Sequence, residues 1–288
     1  MEKKTDLDRA LEGDINAFHA LFAEFKDQLK SYLYRLVADR NDAEDLAQDA
    51  FVKAFDKIST FQQKSSLKTW VFSIATRLAY DFLRNRPRWS GDVMDKVKER
   101  CCENGNKSEF LYNASLNSAY GEFDISEHIN FCFTCISKTI PLEQQVTLML
   151  KDVYEFQVKE VAMIIGKTVP AVKHILRFAR QTMIDVFDNR CALVNKNGAC
   201  HQCSELNGWF NPKQNQQEAL MKLNLTQAPA NASKEQLLAL RQTLVKAVDP
   251  LQAKGTDLHE AFMKLHRLVE GEINEAWPDP AVGVLQDR

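Results

Sequence analysis

The sequence predicts an all-α fold: two helical domains joined by a linker and followed by a helical C-terminal extension. Three observations carry that expectation. Apolar residues recur at helical spacing almost throughout, no stretch alternates as a half-buried strand does, and residues 158–180 (VKEVAMIIGKTVPAVKHILRFAR) read as a helix-turn-helix.

The first block covers residues 5–87. A helix over 15–37 keeps Phe18, Leu21, Phe22, Phe25 and Leu29 in register. The next starts near Asn41 and Asp42, a capping residue and an acid suited to the positive end of a helix dipole. Polar residues 60–66 interrupt the pattern. A third helix over 67–85 is expected to bury Leu67, Val71, Ile74, Leu78 and Phe82, and Pro87 ends the block. Residues 88–124 turn polar and irregular, a linker with at most short helices. A second helical block follows over 125–189, then an extension over 190–288 with amphipathic helices at 234–248 and 258–277. Their apolar stripes are Leu237, Leu240, Leu244 and Val248, then Leu258, Phe262, Leu265, Leu268 and Val269.

Within the second block, Val161, Ala162 and Ile165 give one helix its apolar face, Gly166 breaks it, and Thr168 caps the next. Pro170 fits the first turn, where early N–H groups lack intrahelical partners. Val172, Ile175, Leu176 and Ala179 face inward, while Lys173, Arg177 and Arg180 follow i, i+4, i+7 on the other side, with His174 beside them. Such a helix can lie in a major groove, its early side chains reaching base edges and its cations meeting phosphates. An ordinary helical hairpin with a solvated basic face gives the same pattern.

Thirty-seven Lys and Arg against 39 Asp and Glu leave a net charge of −2, so nothing draws the whole chain to nucleic acid. DNA binding must come from local basic faces or from a partner that supplies the rest of the grip. No apolar run is long enough to cross a membrane, and residues 1–14 lack the apolar core of a signal peptide, so no membrane insertion is expected. Seven cysteines without a secretion signal point to a reducing cytoplasm.

Two further segments carry chemistry. On the 67–85 helix the outward residues are Lys68, Ser73, Thr76, Arg77, Tyr80 and Arg84, with Trp70 and Phe72 flanking. Cations interleaved with rings suit melted DNA, because every unstacked base offers a π-face and every nucleotide a phosphate. A core helix with buried aromatics is the alternative. Before it, Asp42, Asp45, Gln48 and Asp49 form an acidic face beside Ala43, Ala47, Ala50 and Ala54. It is either solvated surface or a dock for a basic helix.

These segments resemble a known family. DAEDLAQDAFVKAFDKISTF followed by SSLKTWVFSIATRLAYDFLRNRPR is similar to conserved region 2 of bacterial RNA polymerase sigma factors of the extracytoplasmic-function group. ISKTIPLEQQVTLMLKDVYEFQVKEVAMIIGKTVPAVKHILRFAR resembles region 4 of the same family, in the same order and with a linker between. The resemblance implies a promoter-specificity subunit without catalysis of its own. Asp42, Asp45, Gln48 and Asp49 then dock on core RNA polymerase, and Lys68, Trp70, Arg77, Tyr80 and Arg84 melt and read promoter DNA. The loop with Phe61, Gln62, Gln63 and Lys64 captures a flipped base, which needs stacking and hydrogen-bonding groups to offset the cost of unstacking. Lys173, His174, Arg177 and Arg180 read the upstream element, the linker threads into the polymerase, and an anti-sigma factor becomes a further partner.

The extension departs from that family. Cys200 and Cys203 have C-x-x-C spacing, with Cys191 and His201 as further metal ligands, so zinc is the one cofactor the spacing offers. A second C-x-x-C, Cys132 and Cys135, could join the first pair in a four-thiolate site, but it lies among Ile129, Phe131, Phe133 and Ile136 and reads better as packing thiols, while Cys101 and Cys102 read as incidental. The runner-up function is a stand-alone helix-turn-helix regulator whose cysteines sense metal or redox state. A cysteine enzyme is a poor third reading, because only His201 offers an adjacent base.

Overall fold

The computed structural model describes residues 5–103, 125–190, 233–252 and 256–277, with side-chain surroundings given for 5–100, 127–190, 233–252 and 259–277. The described residues contain helices and turns and no strand, as the periodicity predicts. No helix among them is long and apolar enough to cross a membrane. They form two compact units: residues 1–86 with 142–177, and residues 87–141 with 178–288.

The first unit begins with α1 (Asp6–Leu11), capped by Thr5, and α2 (Ile15–Ala23), whose first amides are held by Asp14. The single helix expected over 15–37 is broken. Phe25 leaves helical geometry, and α3 (Lys26–Val37) starts anew, ending at Ala38 in the left-handed region at φ 62°. The break lets Phe22 and Phe25 both turn inward, their rings 5.3 Å apart. Asp39 caps α4 (Arg40–Asp56) by accepting the Asp42 amide at 3.0 Å. Ala43, Ala47, Ala50 and Ala54 are buried, as the stripe predicts, so α4 packs close on its neighbours. After a 3₁₀ turn (Ile58–Thr60), Ser66 caps α5 (Leu67–Leu83).

The buried face of α5 is rotated from the expected stripe. Val71, Phe72, Ala75, Thr76, Ala79 and Leu83 are buried, whereas Leu67, Ile74, Leu78 and Phe82 are half-buried. Phe72 and Thr76 therefore face the core and not solvent. The reason is that α5 is covered both by α3 and α4 and by residues 156–165. Phe72 sits between Tyr32 and Phe156, with ring centroids 5.3 and 4.8 Å away, and the Thr76 hydroxyl pairs with the Tyr32 hydroxyl at 2.9 Å.

The covering residues follow α8 (Leu142–Leu148) and a π-turn (Met149–Val153) and include α9 (Val158–Ile165). The π-turn presents Tyr154 to α3, where its hydroxyl meets Ser31 Oγ at 2.9 Å and accepts from Arg35 Nε at 3.1 Å. Gln145 Nε2 donates to the Arg35 carbonyl at 3.0 Å. Gly166, at φ 66°, stops α9 in the left-handed conformation that disfavours a side chain. Helix α10 (Val169–Arg190) runs three turns beyond the helix-turn-helix pattern; residues up to Arg177 belong to the first unit and the rest to the second. Val172, Leu176 and Ala179 are buried as expected.

The second unit holds α6 (Val93–Glu103) from the linker, α7 (Ile125–Ser137), the end of α10, α11 (Lys234–Ala247) and α12 (Thr256–Val269). Helix α11 meets α7 through Leu238, Arg241 and Val245, one position round from the expected stripe. Leu237, Leu240, Leu244 and Val248 stay half-buried. In α12, Phe262 and Leu265 are buried as expected, joined by Ala261, Met263, His259, His266 and Arg267. Cys135 is buried and Cys132 half-buried, in keeping with packing thiols. Cys191, Cys200, His201 and Cys203 lie outside the described residues, as do the side chains of Cys101, Cys102 and Leu258. No group able to hold a metal occurs among the described residues.

Candidate nucleic-acid interface

Three surfaces carry the residues singled out by sequence. On α4, Asp45, Gln48 and Asp49 are exposed, and the same face continues to Val52, which is 49% exposed. Asp42 stands apart from them: half-buried at the helix start, it lies 3.4 Å from Arg86 Nη1, so the first of the four expected docking residues is engaged within the fold. Glu44, on the flank, pairs with Lys30. An exposed face carrying acids and one apolar side chain suits docking on a basic partner. Sequence pattern missed Val52, because a valine in a helix reads as core.

The second surface is the outer side of α5 and the loop before it. Arg77 and Arg84 are exposed, and Trp70, Ser73 and Tyr80 are half-buried along the same i, i+3, i+7, i+10, i+14 line. Arg84 pairs with Asp81 on the surface, a contact of little energetic weight. The Tyr80 hydroxyl is held well above its usual range, first by burial and then by the nearby Glu143 carboxylate, so it remains a neutral hydrogen-bonding group.

Two expected contacts are corrected. Phe61 is 7% exposed and tilts against Trp70 with centroids 5.2 Å apart; it supports the Trp70 ring and is not presented to a ligand. The loop's accessible groups are Gln62, Gln63 and Lys64, with Gln63 at φ 53°. Lys68 does not project from α5 either. Its ammonium lies 5.0 Å from the Phe156 centroid and 5.9 Å from that of Phe72, and burial lowers its pKa against the opposing effect of Glu160.

Glu160, which the sequence reading did not single out, organises that corner. One carboxylate oxygen accepts the Gln157 amide at 2.8 Å, closing the N-terminal turn of α9, and the other accepts from Thr69 Oγ1 at 3.0 Å. Thr69 Oγ1 also meets Ser66 Oγ at 2.8 Å, so the capping groups of α5 and α9 share one chain of hydrogen bonds. The Q-x-x-E spacing was legible as a cap. Its second partner, 91 residues away, was not.

The third surface is the start of α10. Thr168 Oγ1 accepts the Ala171 amide at 3.3 Å, the expected cap. Lys173, His174, Arg177 and Arg180 are all exposed, opposite buried Val172, Leu176 and Ala179. This is a helix that can offer cations and an imidazole to a groove.

Residues 21–88 match the family model for sigma-70 region 2, which takes in α4, the loop and α5. The chain is similar to the ECF RNA polymerase sigma factor SigG of Mycobacterium tuberculosis, 29% identical over 177 residues, covering 58% of this chain and 47% of the relative. It is 25% identical over 187 residues to the ECF RNA polymerase sigma-E factor of Escherichia coli, covering 63% of this chain and 94% of that one. Among solved structures, the sigma factor RpoE in complex with the anti-sigma factor NepR from Bartonella quintana aligns with a TM-score of 0.41 and 20% identity, over 59% of this chain and 96% of that one. The matched segment spans about half the length of the SigG relative. The all-α fold is that of a sigma-70-type helical protein, and the family match falls on residues 21–88. More narrowly, the chain carries a sigma-70 region 2 and is related to the ECF RNA polymerase sigma factors.

Proposed function

We propose that this protein is a promoter-specificity subunit: it binds core RNA polymerase, directs it to promoters and helps open them, with no reaction of its own. The observation that carries the reading is the accessible line Trp70–Ser73–Arg77–Tyr80–Arg84 beside the Gln62–Lys64 loop, inside the segment that matches sigma-70 region 2. Rings and cations along one helix suit single-stranded DNA, where stacking contributes about 1–3 kcal/mol per base. Asp45, Gln48, Asp49 and Val52 form the polymerase face, and Lys173, His174, Arg177 and Arg180 the upstream reader. A near-neutral chain is suited to this division, because the polymerase supplies most of the affinity for DNA. The site of action is the cytoplasm, and an anti-sigma factor is a further partner.

Run-off transcription with purified core polymerase tests this. Promoter-dependent transcripts are expected only when both are present. Tight, specific duplex binding by the chain alone, with no transcripts, would favour a stand-alone regulator instead. The zinc reading rests on the Cys191, Cys200, His201 and Cys203 spacing. It expects about one zinc per chain by elemental analysis, lost in Cys200→Ser.

A further inference from the structure

Among the described residues, the second unit holds a buried charged cluster that shares no residue with the three surfaces. The Glu272 side chain, just past α12, is 1% exposed. One of its oxygens accepts from Trp89 Nε1 at 2.8 Å and lies 3.0 Å from Lys138 Nζ, and Arg267 Nε lies 3.6 Å from the other. Lys138 is fully buried, and its ammonium lies 4.6 Å from the Trp89 ring centroid. His266 also stacks on that ring, at 5.4 Å and 15°. Two residues earlier, Glu270 accepts the Ser90 amide at 3.1 Å and the Ser90 hydroxyl, with Lys96 Nζ 3.4 Å away. Arg88 donates to the carbonyls of Ser137 and Ile140 at 3.1 and 2.9 Å, satisfying the open end of α7.

Residues 88–96 have few apolar side chains of their own, and Trp89 and Val93, at 2% and 1% exposure, are the buried ones. What holds Trp89 comes from α12 and from Lys138. A buried carboxylate shared by an indole N–H and two cations cannot open by halves, because a single lost partner strands a charge in the interior. The arrangement is therefore closed or released, the property a switch requires.

We propose that the C-terminal extension is an autoinhibitory clamp on the linker, with Glu272 and Glu270 holding Trp89 and Ser90 until the chain engages core polymerase. The inhibitory part rests on the proposed function and on the resemblance, which implies a linker that threads into the polymerase and so leaves these partners. The clamp itself rests on the contacts above.

Hydrogen exchange at residues 88–97 and run-off transcription at limiting protein, both on the full-length chain, test it together. Glu272→Gln keeps the shape but leaves Lys138 and Arg267 uncompensated. Exchange should accelerate roughly a hundredfold or more, as expected for a broken buried ion pair, and transcription should rise severalfold. Trp89→Phe removes the N–H donor and part of the ring but leaves every buried charge paired, so it should move both readouts the same way by less, which covers the case where Glu272→Gln disrupts the unit altogether. Glu275→Gln, whose partner Lys264 is on the surface, should change neither. Unchanged exchange in Glu272→Gln overturns the clamp. Faster exchange with unchanged or lower transcription overturns its inhibitory role. Failure of every chain, wild type included, to bind core polymerase overturns the promoter reading instead, while exchange still decides the clamp.

Discussion

The two units are stabilised by different chemistry. The first has a core of rings and small side chains: Phe18 lies 5.3–6.2 Å from Phe22, Phe51 and Phe55, and the alanine face of α4 lets the helices approach closely. Its buried polar groups are mostly hydroxyls and amides, with Arg35 and Asp152 as the charged members and Arg35 donating to the Tyr154 hydroxyl. The second buries titratable groups instead: His128, His259 and His266 cluster around Phe131, with Lys138, Arg267 and Glu272 nearby. An apolar core responds to volume, whereas a titratable core also responds to protons and charge. Buried histidines occur among the described residues of the second unit and not of the first, so the second unit is expected to respond more strongly to mild acid.

The sharpest break of that contrast is a cavity in the first unit. Phe18→Ala removes a fully buried ring and should cost about 3–5 kcal/mol. Hydrogen exchange should accelerate across α2–α4 and leave α7 and α12 unaffected; equal loss in both units would mean they unfold together.

Acid should do the reverse. Burial pushes the His266 imidazole down to about 4, and holds His128 well below its usual range, aided by the neighbouring histidines. With native pKa values below the unfolded 6.5, the unfolded state binds more protons. Stability from these groups is complete above about pH 6.5 and is lost as pH falls toward 4. His266 alone should contribute on the order of 2 kcal/mol less at pH 5 than at pH 7.5. Exchange at α7 and α12 should rise at pH 5, after correction for intrinsic rates, with α2–α5 unchanged. His266→Phe, which keeps a ring against Trp89, should flatten the profile. A first unit equally sensitive to pH 5 would erase the distinction.

Changes at the exposed faces should affect binding and not folding. Replacing Lys173 or Arg177 by Ala should weaken promoter recognition by about 1–3 kcal/mol at one base position if the contact is to a base edge. If it is to phosphate, the loss should be uniform and the salt slope should fall by about 1. Promoter occupancy unchanged in both variants would remove α10 from the interface. Asp45→Lys with Asp49→Lys should abolish co-purification with core polymerase while shifting stability by less than about 0.5 kcal/mol. Retained co-purification would return that face to plain solvated surface.

The sequence by itself determined the helical class, the α4 alanine face, the Gly166 break, the Thr168 cap and the exposed line on α10. These depend on periodicity and end chemistry, which are local. It also singled out Asp45, Asp49, Arg77, Arg84, Lys173 and Arg177 as exposed candidates, but not that Asp42, Phe61 and Lys68 are engaged within the fold. What it could not determine was how α5 is rotated, because α5 is covered on two sides and a single-face period cannot say which second face is buried. For the same reason Phe72 and Thr76 turned inward, and Phe61 became a support for Trp70. Glu160 was readable as a cap but not as the partner of Thr69, and nothing near Glu272 announced Trp89 or Lys138. Only the tertiary structure decided these pairings. A buried charge is tolerable solely where distant segments bring its counter-charge and donors together, and no local pattern records that meeting.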